Sequence, residues 1–217
     1  MTMMLALTLL LAILVFSIFL ITKLFNRNLD SHSIRKETIT ETLSDKSEVQ
    51  IRYLTPNPYS RPKTELKKIN GVVIHYTANP GTTAENNRNY FEGLAETKKA
   101  SVSSHFIIGL EGEIIQCIPL TEIAYASNER NSDTISIECC HPDETGKFNE
   151  ETYKALVSLT ASLCLEYDLK KEDIIRHYDI TEKPCPLYFV EHEDEWLTFK
   201  DEVMDEVKQL KNKADEK

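Results

Sequence analysis

The chain has 217 residues, 41% hydrophobic and 28% charged, with a formal net charge of −10 at pH 7. That length allows one globular domain with a sizeable core plus an appendage. The acidity and the lack of a Lys/Arg stripe exclude a nucleic-acid-binding surface. The five cysteines (117, 139, 140, 164 and 185) are odd in number and form no CxxC pair, which argues against a disulfide scaffold.

Leu5 to Thr22 is a run of 18 residues without charge, Gly or Pro, long enough to cross a bilayer. No basic residue precedes it, and no A-x-A-like cleavage site follows, so an uncleaved anchor over residues 1–25 fits better than a signal peptide. Residues 26–64 are polar, lack apolar periodicity and are punctuated by Asn57-Pro58 and Arg61-Pro62, which reads as a linker. The folded domain is expected over residues 65–213.

Within it, Gly71 to Tyr76 is an apolar run suited to a central strand. Asn79-Pro80-Gly81 is a turn, and Thr82 with Glu85 has the capping-box spacing that opens a helix to about Lys98. Val102 to Ile108 is a second strand, joined through the Glu111-Gly112 turn to a hairpin partner, Glu113 to Ile118. Thr134 to Cys140 alternates, with Ile135 and Ile137 on one face and Ser136 and Glu138 on the other. A helix from about Glu150 to Tyr167 carries an apolar stripe, and Asp173 to His177 is a short strand. A last helix aligns Trp196, Phe199, Val203, Val207 and Leu210 on one face, expected to pack on the sheet. The order predicts an α/β fold, a mixed central sheet with helices on both faces.

Two histidines end strands. His75 closes GVVIH, and His177 closes DIIRH, eight residues before Cys185. Strand ends open onto the rim of a sheet, where ligands bind. Imidazole and thiolate both suit zinc, and three protein ligands leave a fourth position open. Pro184 and Pro186 restrict the loop that carries Cys185. The spacing alone is a weak signal.

Four segments, in order, resemble the type-2 N-acetylmuramoyl-L-alanine amidases, the fold group shared with peptidoglycan recognition proteins and phage lysozyme-type amidases. They are VVIHYTA, SSHFIIGLEGEIIQCIP, DTISIECC and RHYDITEKPCP. The resemblance spans roughly residues 65–190. It implies a Zn2+ held by His75, His177 and Cys185, with Glu138 and Lys183 beside it. It implies hydrolysis of the amide between N-acetylmuramic acid and L-alanine in peptidoglycan. Glu138, on a half-apolar strand, is then the general base; an ion pair is its alternative reading. Lys183 is the oxyanion donor or a solvated loop lysine. Many relatives carry Tyr before the second-strand His, where this chain has Ser104 before His105. That leaves more of the proton transfer to Glu138. His105 is a candidate substrate contact or a packed strand residue.

Three other readings compete. One is a peptidoglycan-binding recognition module, which typically lacks the Cys ligand retained here as Cys185. Another is a phage or prophage lysis amidase with the same chemistry. The third is a structural zinc domain, which would need a fourth protein ligand. Lys23, Arg27, Arg35 and Lys36 follow the apolar run and favour a cytoplasmic domain. Polymeric peptidoglycan lies outside the membrane, so the expectation is an anchored enzyme with its domain on the outer face.

Overall fold

The computed structural model describes residues 49–215. The apolar run Leu5 to Thr22 and the linker up to residue 48 lie outside the described residues. Among the described residues, no helix is long and apolar enough to cross a membrane.

Six strands form one sheet in the order β1-β4-β3-β5-β2-β6. They are β1 (Val49–Ile51), β2 (Val72–Tyr76), β3 (Phe106–Ile108), β4 (Ile114–Gln116), β5 (Ile135–Cys139) and β6 (Ile174–Arg176). Only β3 and β4 pair antiparallel, as the hairpin expected around Gly112; the other pairings are parallel. The sheet is therefore mixed, as the alternation of strand and helix signals predicts. Val72, Val73 and Ile74 are fully buried, as a central parallel strand covered on both faces requires. Gly71 lets β2 enter there: a Cβ on it would stand 2.7 Å from the backbone oxygen of Asp173.

Helices cover both faces. On one lies α1 (Ala84–Thr97), whose Ala84 and Phe91 pack with Ile107, Ile115, Cys117 and Cys140. On the other, α2 (Glu150–Tyr167) packs with Phe106, Ile108, Ile114, Ile135 and Ile137. Neighbours in one strand thus belong to different cores, which is the period-2 alternation of a pleated strand.

Several boundaries differ from the sequence expectation. The capping box of α1 uses Thr83 and Asn86 rather than Thr82 and Glu85. The Thr82 hydroxyl instead donates to the Asn79 carbonyl at 2.7 Å and closes the preceding turn. The strand expected from Val102 pairs only from Phe106, because Ser103 N–H is already given to the Tyr125 carbonyl and the Ser104 hydroxyl to the Ser136 carbonyl. The last helix, α5 (Glu193–Asp215), packs chiefly on α2 rather than on the sheet, forming a further layer. Phe199 meets Tyr153 edge-on at 5.9 Å, and the Tyr153 hydroxyl donates to Glu202. Two short helices, α3 (Tyr178–Thr181) and α4 (Leu187–Glu191), flank the Cys185 loop.

Residues 49–64, expected as linker, are built into the fold. β1 adds an edge strand beside β4, and Leu54 is buried. Arg61 makes a two-pronged pair with Glu122, 2.8 Å on each prong, and donates to the Leu54 carbonyl. The periodicity was invisible because β1 is only three residues long.

Candidate metal centre and active site

Adjacent parallel strands place His75 and Glu138 opposite one another, in register across β2 and β5. Side chains paired this way point to the same face, about 5 Å apart at the backbone. β6, on the other side of β2, delivers His177 just past its end, with the His177 N–H given to the Ile74 carbonyl. The turn of α3 then carries the chain round to Cys185, whose carbonyl accepts from Tyr178 N–H. His75, His177 and Cys185 offer ligand atoms that all lie within 4.8 Å of one another, and all three residues are buried. His75 Nδ1 is 3.8 Å from Cys185 Sγ, and the two imidazole centroids are 4.8 Å apart.

Each ring is held by one nitrogen. His75 Nε2 meets Ser127 Oγ at 3.2 Å, and His177 Nε2 meets Asn128 Oδ1 at 2.9 Å. An amide oxygen only accepts, so Nε2 of His177 carries the proton and Nδ1 keeps its lone pair. That Nδ1 is buried and has no hydrogen-bond partner. A buried lone pair without a donor carries a cost that a cation would remove. Burial holds the His75 pKa well below its ordinary value, with the charges of His177 and Lys183 acting in the same direction. His177 is lowered by burial and by Lys183. Both rings are therefore neutral at pH 7, the form that binds metal. Burial pushes the Cys185 thiol up to about 12, Glu138 adding to it, while a Tyr76 backbone hydrogen bond and Lys183 oppose. The donor set, two neutral imidazoles and one thiol, fits zinc.

Glu138 stands beside this group with its Oε2 buried and unpaired. Burial raises its pKa to about 8, against the charge of Lys183. Lys183 is exposed, and it lines the same cleft of about 280 Å³ as Glu138, Asn128, His75, His177 and Cys185. The ion-pair alternative for Glu138 finds no partner among the described residues.

His105 is not brought to the cleft. It is 1% exposed, and its ring lies between Ser136 Oγ and the Glu122 carbonyl, each at 3.0 Å. That is the packed-strand reading. His141 is also buried, its Nδ1 2.7 Å from the Asp143 carbonyl. Ser127 and Asn128 went unnoticed in the sequence. Their one signal is a polar segment, SNERNSD, just before an apolar strand, and that reads equally as an ordinary loop.

Residues 65–187 match the N-acetylmuramoyl-L-alanine amidase family, Amidase_2. The chain belongs to this family. It is 35% identical over 165 residues to the N-acetylmuramoyl-L-alanine amidase CwlL of Bacillus licheniformis, covering 70% of this chain and 45% of that protein. It is 32% identical over 172 residues to the N-acetylmuramoyl-L-alanine amidase BlyA of Bacillus subtilis strain 168, with the same shares. The chain thus spans about half the length of the curated relatives it matches. Among solved structures, PlyL superposes with a TM-score of 0.61 at 25% identity, covering 72% of this chain and 96% of PlyL. The Drosophila peptidoglycan recognition protein SD, at 17% identity and a TM-score of 0.53, shares the fold. This amidase-family membership agrees with the resemblance carried by the four sequence segments.

Proposed function

We propose that the protein is a zinc-dependent N-acetylmuramoyl-L-alanine amidase, hydrolysing the bond between N-acetylmuramic acid and the L-alanine of the peptidoglycan stem. The observation that carries this reading is the His75, His177 and Cys185 cluster with the unpaired Glu138 carboxyl beside it in one cleft. Zinc held by those three residues would supply Lewis acidity toward a water and the scissile carbonyl. Glu138, in register with His75, takes the proton from the attacking water and returns one to the departing amine. A carboxyl whose pKa lies near the working pH suits both transfers. Lys183, which lines the same cleft, donates to the oxygen that becomes negative as the carbonyl turns tetrahedral. Neutral His75 and His177 stay as ligands, with His177 held in one tautomer by Asn128. A binding-only recognition module would have no use for an unpaired buried carboxyl, which favours the enzyme.

For location, the reading rests on sequence alone: Leu5 to Thr22 as a membrane anchor, with the domain outside, where polymeric peptidoglycan lies. Protease added to intact protoplasts should cleave the domain; protection until permeabilisation would refute the outer-face placement. The activity is tested by incubating the full-length protein in mild detergent with purified peptidoglycan, with and without chelator. Mass spectrometry should show free muramic lactyl carboxyl and free L-alanine amino ends, lost on chelation and recovered with zinc. New ends within the stem peptide or the glycan would refute the assignment.

A further inference from the structure

Both imidazoles of the metal cluster are held by consecutive residues of one loop. Ser127 Oγ contacts His75 Nε2 and Asn128 Oδ1 contacts His177 Nε2. The loop is itself braced. Asn131 Oδ1 accepts the backbone N–H of Ala126 at 3.0 Å and of Ser127 at 2.6 Å. Arg130 pairs with Asp133 at 2.8 Å. Asn70 Nδ2 donates to Asp133 Oδ2, and Asn70 N–H to the Asp133 carbonyl, tying the loop to the start of β2, the strand that bears His75. Ser127 is 1% exposed. Asn128 has φ +52°, a left-handed conformation that Asn tolerates better than most residues.

Resting on the metal reading above, we infer that the loop from Ala124 to Asp133 is the orienting shell of the metal centre. Asn128 acts as a positioning residue that sets ring angle and tautomer at His177, and Ser127 as one that sets ring angle at His75. The argument is stereochemical. Metal-binding imidazoles need one nitrogen protonated and anchored so that the other presents its lone pair. Asn128 Oδ1 imposes that state on His177, and His177 Nδ1 is the nitrogen left buried without a partner. The brace through Asn131 and Asp133 makes both anchors move together with β2, so the two rings keep a common geometry.

The test uses the full-length protein in mild detergent, with Asn128→Gly, Asn128→Asp and Ser127→Ala. Glycine removes the anchor yet accepts the positive φ. Zinc affinity is read by competition with a chromophoric chelator, ligand geometry by the visible absorption of the cobalt(II) form, and folding by thermal melts of the metal-free protein. Asn128→Gly and Ser127→Ala should each bind zinc about 10- to 100-fold more weakly, as outer-shell losses do. The cobalt(II) spectrum of Asn128→Gly should shift. Asn128→Asp should return affinity and spectrum to wild type, because a carboxylate accepts the same proton. Affinity within about twofold of wild type in Asn128→Gly would overturn the inference, including when its metal-free melting temperature drops, which marks a purely structural role. Failure of Asn128→Asp to recover the loss would also overturn it. A wild-type protein that takes up no zinc would refute the metal reading itself, and this inference with it.

Discussion

Glu138→Gln should make the metal-free protein more stable at pH 7 and abolish most of the activity of the zinc-loaded protein. The Glu138 carboxyl has its pKa raised from 4.5 to about 8, chiefly by burial, with Lys183 opposing. Between those values the unfolded chain has released this proton and the folded chain still holds it. The folded state therefore binds more protons, and its stability falls as pH rises through the window from about 4.5 to 8. Each pH unit in that window costs about 1.4 kcal/mol, so at pH 7 the cost approaches about 3 kcal/mol. The residue as a whole is half-buried while its Oε2 is fully enclosed, and partial solvent contact reduces this to about 2 kcal/mol. Glutamine keeps the shape without the charge. The gain corresponds to a melting-temperature rise of about 4–8 °C for a chain of this size. Thermal melts of chelator-treated wild type and variant at pH 5, 6, 7 and 8 would show the gap opening from near zero as pH rises. A gap constant across that range, or a variant less stable than wild type at pH 7, would refute the reasoning. The same variant should retain zinc and lose about 10²- to 10⁴-fold in kcat, as general-base losses do.

Lys183→Ala should lower kcat by about 10²- to 10³-fold in a peptidoglycan-release assay, the usual worth of an oxyanion donor, and leave zinc content unchanged. Cys185→Ser should lose stoichiometric zinc by metal analysis, because a hydroxyl is a poor substitute for thiolate at a site of borderline softness. Phe199→Ala, at a fully buried side chain between α2, α4 and α5, should destabilise the fold by about 3–5 kcal/mol in denaturant titration without altering the cleft residues.

The sequence by itself determined the parts whose signal is local. The apolar run at Val72 to Ile74, the Glu150–Tyr167 helix and the hairpin around Gly112 follow from periodicity and turn chemistry, and the structure has them. The grouping of His75, His177 and Cys185 was legible because four motifs occur in order, and motif order survives without coordinates. The parts that depend on distant chain segments were not legible. β1 is three residues long and owes its pairing to β4, far along the chain, so nothing local marks it. α5 shows an amphipathic stripe, but a stripe says only that a face is buried, and tertiary packing chose α2 as its cover. His75 lies on an apolar strand and His105 directly precedes one, and only the tertiary structure separates their roles. His75 sits beside Glu138 at the cleft, whereas His105 is enclosed by Ser136 and the Glu122 carbonyl. Ser127 and Asn128 meet the histidines across 52 and 49 residues of sequence. A side chain's chemical type is written in the sequence, but which nitrogen of which ring it anchors is decided by three-dimensional proximity.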